Sequence, residues 1–184
     1  FVENRRHGVG KAFHENGNLA FEGSWVRNYK TGKGKLYDDQ GLVIFDGTFL
    51  DDIPDGDGKE FRKDGSLLYE GYFKTGERHG MGKIYFPDGK VQFEGNFEEG
   101  TQIGDGKEYR TVGTLIYEGG WSDGRRDGYG KLFSTEGVIL FEGYFAKGFI
   151  EGSGKEFRED GSMAYEGDFL KGQRHGQGKY YLPG

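Results

Sequence analysis

The segment Gly76–Lys83, Gly-Glu-Arg-His-Gly-Met-Gly-Lys, is the stretch that comes nearest to a phosphate-binding loop. Such a loop cradles phosphates with backbone N–H groups. It needs four residues between its first glycine and the Gly-Lys pair, and then Ser or Thr for magnesium. Here five residues intervene and Ile84 follows, so that chemistry is missing. The histidines offer no better start: His7, His79 and His175 fall at one turn position of different repeats, whereas a metal site or triad needs unlike residues converging. Carboxylates recur every 24 residues at Glu22, Asp46, Glu70, Glu94, Glu118, Glu142 and Glu166. That ladder reads as a solvated face, because paired glycosidic acids require a cleft that a one-layer sheet scarcely provides. The chain has no cysteine, which excludes disulfides and thiolate chemistry. No catalytic residue, cofactor or metal is expected, and the segment reads as non-enzymatic.

Composition narrows the fold. Among 184 residues there are 37 glycines, 16 Phe and 12 Tyr, while only 33% of residues are apolar. Little alanine or leucine argues against a helical or doubly wound domain, and aromatic side chains supply the apolar mass for a thin core. A formal net charge of −6 with mixed signs disfavours nucleic-acid binding, which usually demands a basic face. No stretch approaches the roughly 20 apolar residues of a membrane span. The expected location is cytoplasmic, with membrane association left open.

Two signatures organise the chain. An aromatic-acidic-Gly-x-aromatic pentad begins at Phe21, Phe45, Tyr69, Phe93, Tyr117, Phe141 and Tyr165, always 24 residues from the last. Gly-x-Gly-Lys recurs with the same spacing from Gly8 to Lys179. With two further registers, at Gly17 to Gly161 and Gly76 to Gly172, all glycines except Gly120 and Gly184 are placed. Residues 1–184 are expected to form one continuous repeat domain, with seven full 24-residue units and partial units at both ends. Phe1 sits at the fifth pentad position and Pro183-Gly184 inside a turn, so the chain reads as an excerpt. Flanking sequence, or self-association through bare edge strands, is the expected consequence.

Each unit reads as a β-hairpin. In one, Gly82–Phe86 is a strand, Pro87-Asp88-Gly89 a three-residue turn with a left-handed glycine, and Lys90–Phe97 the return strand. Phe86 then faces Lys90, Tyr85 faces Val91 and Lys83 faces Phe93. Strand alternation places Tyr85, Val91, Phe93 and Phe97 on a common side. The aromatics before the turn (Phe13, Tyr37, Phe61, Tyr85, Tyr109, Phe133, Phe157, Tyr181) and the aliphatics after it (Leu19, Val43, Leu67, Val91, Leu115, Ile139, Met163) are expected to form the core. The Lys11-to-Lys179 column is expected to lie over rings, and the second pentad aromatic to lie on the Gly-x-Gly backbone.

The pentad, the following x-x-Gly-x-x-x-Gly-x-Gly and the Asp-Gly turn together resemble the MORN repeat (membrane occupation and recognition nexus) over essentially the whole chain. The 24-residue period and the Gly-Lys-x-aromatic suggest a divergent branch. The resemblance implies an all-β fold, an elongated single-layer antiparallel sheet of tandem β-hairpins. It also implies a scaffold, dimerisation or membrane-tethering role, or a targeting region of a larger enzyme such as a lipid kinase.

What differs between units points to partners. Arg5-Arg6-His7, Lys30-Thr31, Arg78-His79, Arg125-Arg126 and Arg174-His175 alternate with apolar, acidic turns at Ile53-Pro54-Asp55, Ile103-Gly104-Asp105 and Phe149-Ile150-Glu151, giving a 48-residue period. The second kind precedes Glu60, Glu108 and Glu156. Ile53, Ile103, Phe149 and Ile150 are the expected contact residues for a protein partner or a second copy. Arg78, Arg126 and Arg174 are the alternative, gripping phosphoinositide headgroups on an anionic membrane surface.

Overall fold

The computed structural model describes residues 5–183, so Phe1 and Gly184 lie outside the described residues. It is all-β, with fifteen strands in chain order and no helix among the described residues. Two compact units emerge. The first takes the described residues up to Gly89 together with Glu98–Gly100. It holds β1 (Gly8–Phe13), β2 (Leu19–Val26), β3 (Tyr29–Tyr37), β4 (Val43–Leu50), β5 (Ile53–Phe61), β6 (Leu67–Lys74) and β7 (Glu77–Tyr85). The second takes Lys90–Phe97 and the described residues from Thr101 on. It holds β8 (Val91–Glu98), β9 (Thr101–Tyr109), β10 (Leu115–Ser122), β11 (Arg125–Phe133), β12 (Ile139–Ala146), β13 (Phe149–Phe157), β14 (Met163–Leu170) and β15 (Gln173–Tyr180). From β1 to β7, and from β9 to β15, each strand pairs antiparallel with the next.

Two kinds of turn alternate. In the first, Gly17 N–H donates to His14 O at 3.0 Å, His14 N–H donates to Asn18 O at 2.8 Å, and Gly17 has φ +86°. This is the expected three-residue loop, and Gly89 repeats it by donating to Phe86 O at 2.9 Å. In the second, two successive residues have positive φ, as at Asp51 and Asp52 or at Thr75 (49°) and Gly76 (87°). Such primed turns match the twist of the strands they join. The second residue also reaches back to the preceding turn of its kind: Asp52 N–H donates to Lys30 O, Gly76 N–H to Pro54 O and Gly172 N–H to Ile150 O.

The strand register departs from the expected ladder. Phe13 faces Leu19 and Tyr109 faces Leu115, as expected, but Ala12 faces Phe21 and Glu108 faces Tyr117. One residue of the return strand, Ala20 or Ile116, is therefore extra. This β-bulge reverses the alternation beyond it. Lysine consequently faces carboxylate and not the ring, as Lys59 does Glu70. The pre-turn aromatics fall on the side opposite the pentad rings: Tyr85 Oη donates to Glu70 Oε2 at 3.1 Å and Tyr109 Oη to Glu94 Oε1 at 2.6 Å.

The core is accordingly different from the expected columns. Its buried members are the first and fifth residues of all seven pentads, from Phe21 and Trp25 to Tyr165 and Phe169. The pre-turn aromatics and their aliphatic partners are mostly half-buried. In the first unit the rings form an edge-to-face file, Trp25–Phe21–Phe49–Phe45–Phe73–Tyr69, with centroids 4.9–5.3 Å apart. The second unit repeats it from Phe97 to Tyr165. It is the first pentad aromatic, not the second, that covers the paired glycines. A Cβ on Gly34 would stand 2.4 Å from Phe21 Cζ, and one on Gly47 would stand 2.6 Å from Gly58 Cα.

Gly47→Ala must push two strands apart, so it is expected to cost about 3 kcal/mol or more of unfolding free energy in urea titrations. Gly65→Ala meets only the strain of φ +81° with open space around it, and should cost about 1 kcal/mol. Equal losses at the two sites would contradict the close-approach argument.

Candidate interaction surface

The bulge gives the sheet in each unit two chemically distinct sides. One carries cross-strand ion pairs, Lys35–Asp46 at 3.0 Å, Lys59–Glu70 at 3.1 Å, Lys107–Glu118 at 3.3 Å and Lys131–Glu142 at 3.4 Å. The lysine column is thus engaged by carboxylates and does not lie over the buried rings. The Tyr85 hydroxyl and Lys59 hold the Glu70 carboxyl below its usual range, the lysine contact being the larger cause. Among the described residues no group of three or more His, Asp or Glu is arranged to hold a metal ion.

The other side carries the ring file, and the alternation seen in the turns has its physical cause there. The Arg78 guanidinium lies 4.9 Å from the Tyr69 ring centre and reaches past it to Glu60, its Nε and Nη2 donating to Oε2 at 3.0 and 2.7 Å. Arg126 covers Tyr117 at 5.0 Å and donates to Glu108 at 3.0 and 2.6 Å. Arg174 covers Tyr165 at 5.1 Å and donates to both oxygens of Glu156. Each clamp spans three strands. In the intervening hairpins the matching positions are Pro54 with Leu36 and Ile150 with Leu132, and the ring between is Phe45 or Phe141. Tyrosine therefore stands where the clamp is polar, its hydroxyl donating to a bulge carbonyl: Tyr69 to Tyr72 O at 3.2 Å, Tyr117 to Gly120 O at 2.9 Å. A shallow hollow of about 460 Å³ on this side is lined by Phe45, Pro54, Glu60, Phe73 and Arg78.

The residues singled out for partner binding do not share one register. Ile53 opens β5 at a hairpin tip, faces Leu50 and is 46% exposed, although its Cγ2 also lies 3.4 Å from where a Gly76 Cβ would be. Phe149 holds the same register in β13, faces Ala146 and is 57% exposed. Ile150 faces Phe145 beside the ring file, and it and Ile103 are half-buried. The tips of the first unit bring together a set that was not singled out, Val26 facing Tyr29 and Leu50 facing Ile53, all four exposed. Arg78 and Arg126 are half-buried within their clamps, and Arg174 is exposed. Also unforeseen are Arg62, Arg110 and Arg158, which recur every 48 residues. Arg110 donates Nη1 to Leu115 O at 2.7 Å within its own turn and Nη2 to Phe133 O at 2.8 Å in the next hairpin. Arg62 bridges Leu67 O and Tyr85 O in the same way. Their spacing was visible, but nothing in a 24-residue pattern marks it.

Models of the MORN repeat match residues 21–43, 45–67, 69–91, 117–138, 141–163 and 165–184, and a MORN repeat variant matches residues 6–27. The hairpin from Phe93 to Leu115 lies outside these ranges, although Phe93 and Phe97 are buried like the other rings. No curated protein matches the chain.

Burial pushes the hydroxyls of Tyr69 and Tyr117 up from 10.0 to about 12, against the opposing pull of Arg78 and Arg126. The stability that these neutral hydroxyls lend is complete below pH 10 and is lost as pH climbs from 10 to about 12, because the unfolded chain releases those protons first. The urea midpoint should fall across that window, and fall less steeply in a Tyr69→Phe, Tyr117→Phe variant. Parallel curves for the two proteins would contradict this assignment.

Proposed function

The chain belongs to the MORN-repeat family, and from that premise we propose that it is a protein-binding scaffold. The repeat array is a non-catalytic, scaffold-type fold of a kind generally linked to protein or membrane interactions. The observation that carries the protein reading is the exposure of large apolar side chains at hairpin tips, Leu50 at 54% and Ile53 at 46% beside Val26 and Tyr29, with Phe149 at the matching tip of the second unit. Fourteen rings are buried by their neighbours within the fold, whereas these tip residues leave about half of their surface to solvent. Exposed apolar side chains at successive tips, followed by the charged Lys74–Glu77 pair at the next, are the ordinary composition of a contact surface. The partner is another protein or a second copy of the chain.

Membrane-surface binding is the second reading. It draws on the repetition of Arg78, Arg126 and Arg174, yet each guanidinium is matched by a glutamate at hydrogen-bonding distance. A headgroup would have to displace Glu60, Glu108 or Glu156 to reach them, which weighs toward the protein reading.

The test is a triple variant, Leu50→Ser, Ile53→Ser and Phe149→Ser. It should keep the wild-type unfolding free energy in urea titrations within about 0.5 kcal/mol while losing the proteins retained by wild-type affinity capture, or the concentration-dependent sedimentation of a self-associating chain. An unchanged set of retained proteins and unchanged sedimentation would remove the tips from consideration. Ile150→Ser, beside Phe145, is expected instead to destabilise by about 2 kcal/mol. Flotation with phosphoinositide vesicles that is abolished by Arg78→Ala, Arg126→Ala and Arg174→Ala would favour the membrane reading.

A further inference from the structure

On the side that carries the lysine–carboxylate pairs, two large exposed rings stand opposite one another across a strand pair. Tyr129 in β11 faces Tyr144 in β12, their ring centres are 5.4 Å apart and nearly perpendicular, and they are 51% and 50% exposed. At the same register, the directly opposed pairs of other hairpins are Val9–Ser24, Lys33–Thr48, Asp57–Tyr72 and Ser153–Asp168. None of these sets two rings together. The Tyr129 hydroxyl donates to Glu142 Oε1 at 2.8 Å, which fixes that ring and enriches its face in electrons. Beyond Tyr129, the β10 position is Gly120, which carries no side chain. Glycine is required there because a Cβ would stand 2.2 Å from Asp127 O.

The row continues to aspartates at both ends, Asp105 in β9 and Asp168 in β14, both exposed and neither in an ion pair among the described residues. Glu118, Glu142 and Glu166 are each matched by Lys107, Lys131 and Lys155. Five carboxylates against three lysines therefore leave two negative charges in excess along the row. A shallow hollow of about 210 Å³ lies beside it, lined by Tyr129, Tyr144, Ser153 and Asp168.

We propose that this row is a docking site for an extended basic segment of a partner protein, one arginine or lysine side chain seated on the Tyr129–Tyr144 pair and two others on Asp105 and Asp168. The commitment to a cation rests on charge complementarity and on the exposed ring faces, which attract guanidinium and ammonium groups. Spacing supports an extended occupant. Each aspartate lies two and a half strand intervals from the ring pair, about 12 Å. Basic residues four apart in an extended chain stand about 13 Å apart and point the same way. The site stands independently of the hairpin tips.

The experiment is fluorescence anisotropy of the 184-residue chain with a labelled nine-residue peptide carrying arginine at its first, fifth and ninth positions and serine elsewhere. Saturable binding is expected, weakened about tenfold by Tyr129→Ala with Tyr144→Ala and about threefold by Asp168→Asn, and retained by Tyr144→Phe. Replacing the three arginines by glutamate should abolish it. The Leu50, Ile53 and Phe149 serine variant should bind this peptide as wild type does, which separates the two sites. If the double alanine variant fails to give a folded circular dichroism spectrum, Asp105→Asn with Asp168→Asn takes its place, with about a tenfold loss expected. No saturable binding below about 1 mM, or equal binding by wild type and these variants, would overturn the proposal.

Discussion

A ring lying on a strand needs the strand beneath it to have no side chain. In this protein that need is met by two glycines facing one another across a strand pair, as Gly23 does Gly34 and Gly47 does Gly58. The first aromatic of each pentad lies over such a pair, and the second aromatic of the following pentad closes in from the other flank, Phe73 coming within 3.3 Å of a Cβ position on Gly58. A one-layer sheet can therefore bury its largest side chains without a second layer to cover them. Aromatic area replaces the depth that an aliphatic core would require. The regular glycine columns and the spacing of the pentads follow from this single steric demand.

The 24-residue period is the chemical repeat, but the energetic repeat is twice as long. A clamp is made from a glutamate before one three-residue turn and an arginine after the next two-residue turn, with a tyrosine ring between them. The hairpin that supplies the glutamate has proline, glutamine or isoleucine where its neighbour has arginine. From Phe45 on, pentads without and with an arginine–glutamate clamp thus take turns along the chain. Arg62, Arg110 and Arg158 have the same double period and tie the outer turns together through carbonyl oxygens. Single-hairpin comparisons average over these differences, while a comparison of hairpin pairs separates them.

Much of the fold was legible in the sequence. Gly89 after Pro87-Asp88 specifies the loop, because only glycine takes the left-handed conformation there without strain, and the equal spacing of pentads announces hairpins of equal length. The β-bulge was not legible. No residue type marks Ala20 or Ile116 as extra, since the bulge arises from fitting a ring over glycines on the strand beside it. One unrecognised residue was enough to put Tyr109 and Tyr117 on a common side on paper and on opposite sides in the molecule. The candidate surface was read less well for the same reason. Ile53, Ile103 and Ile150 share a residue type and a neighbourhood, yet they occupy a tip, a half-buried strand position and the margin of the ring file. The basic alternation was visible, but its meaning as a set of internal clamps required knowing that Glu60 and Arg78 meet over Tyr69.

The clamp spacing bears on how such a chain can change its length. Removing one hairpin between Glu60 and Arg78 by recombination would bring Gln102 to the arginine position and leave Glu60 without its counter-ion. Removing two would bring Arg126 there and leave a complete clamp. Copy number should therefore drift most readily in steps of two hairpins, so that duplication of the gene segment lengthens the protein by 48 residues at a time.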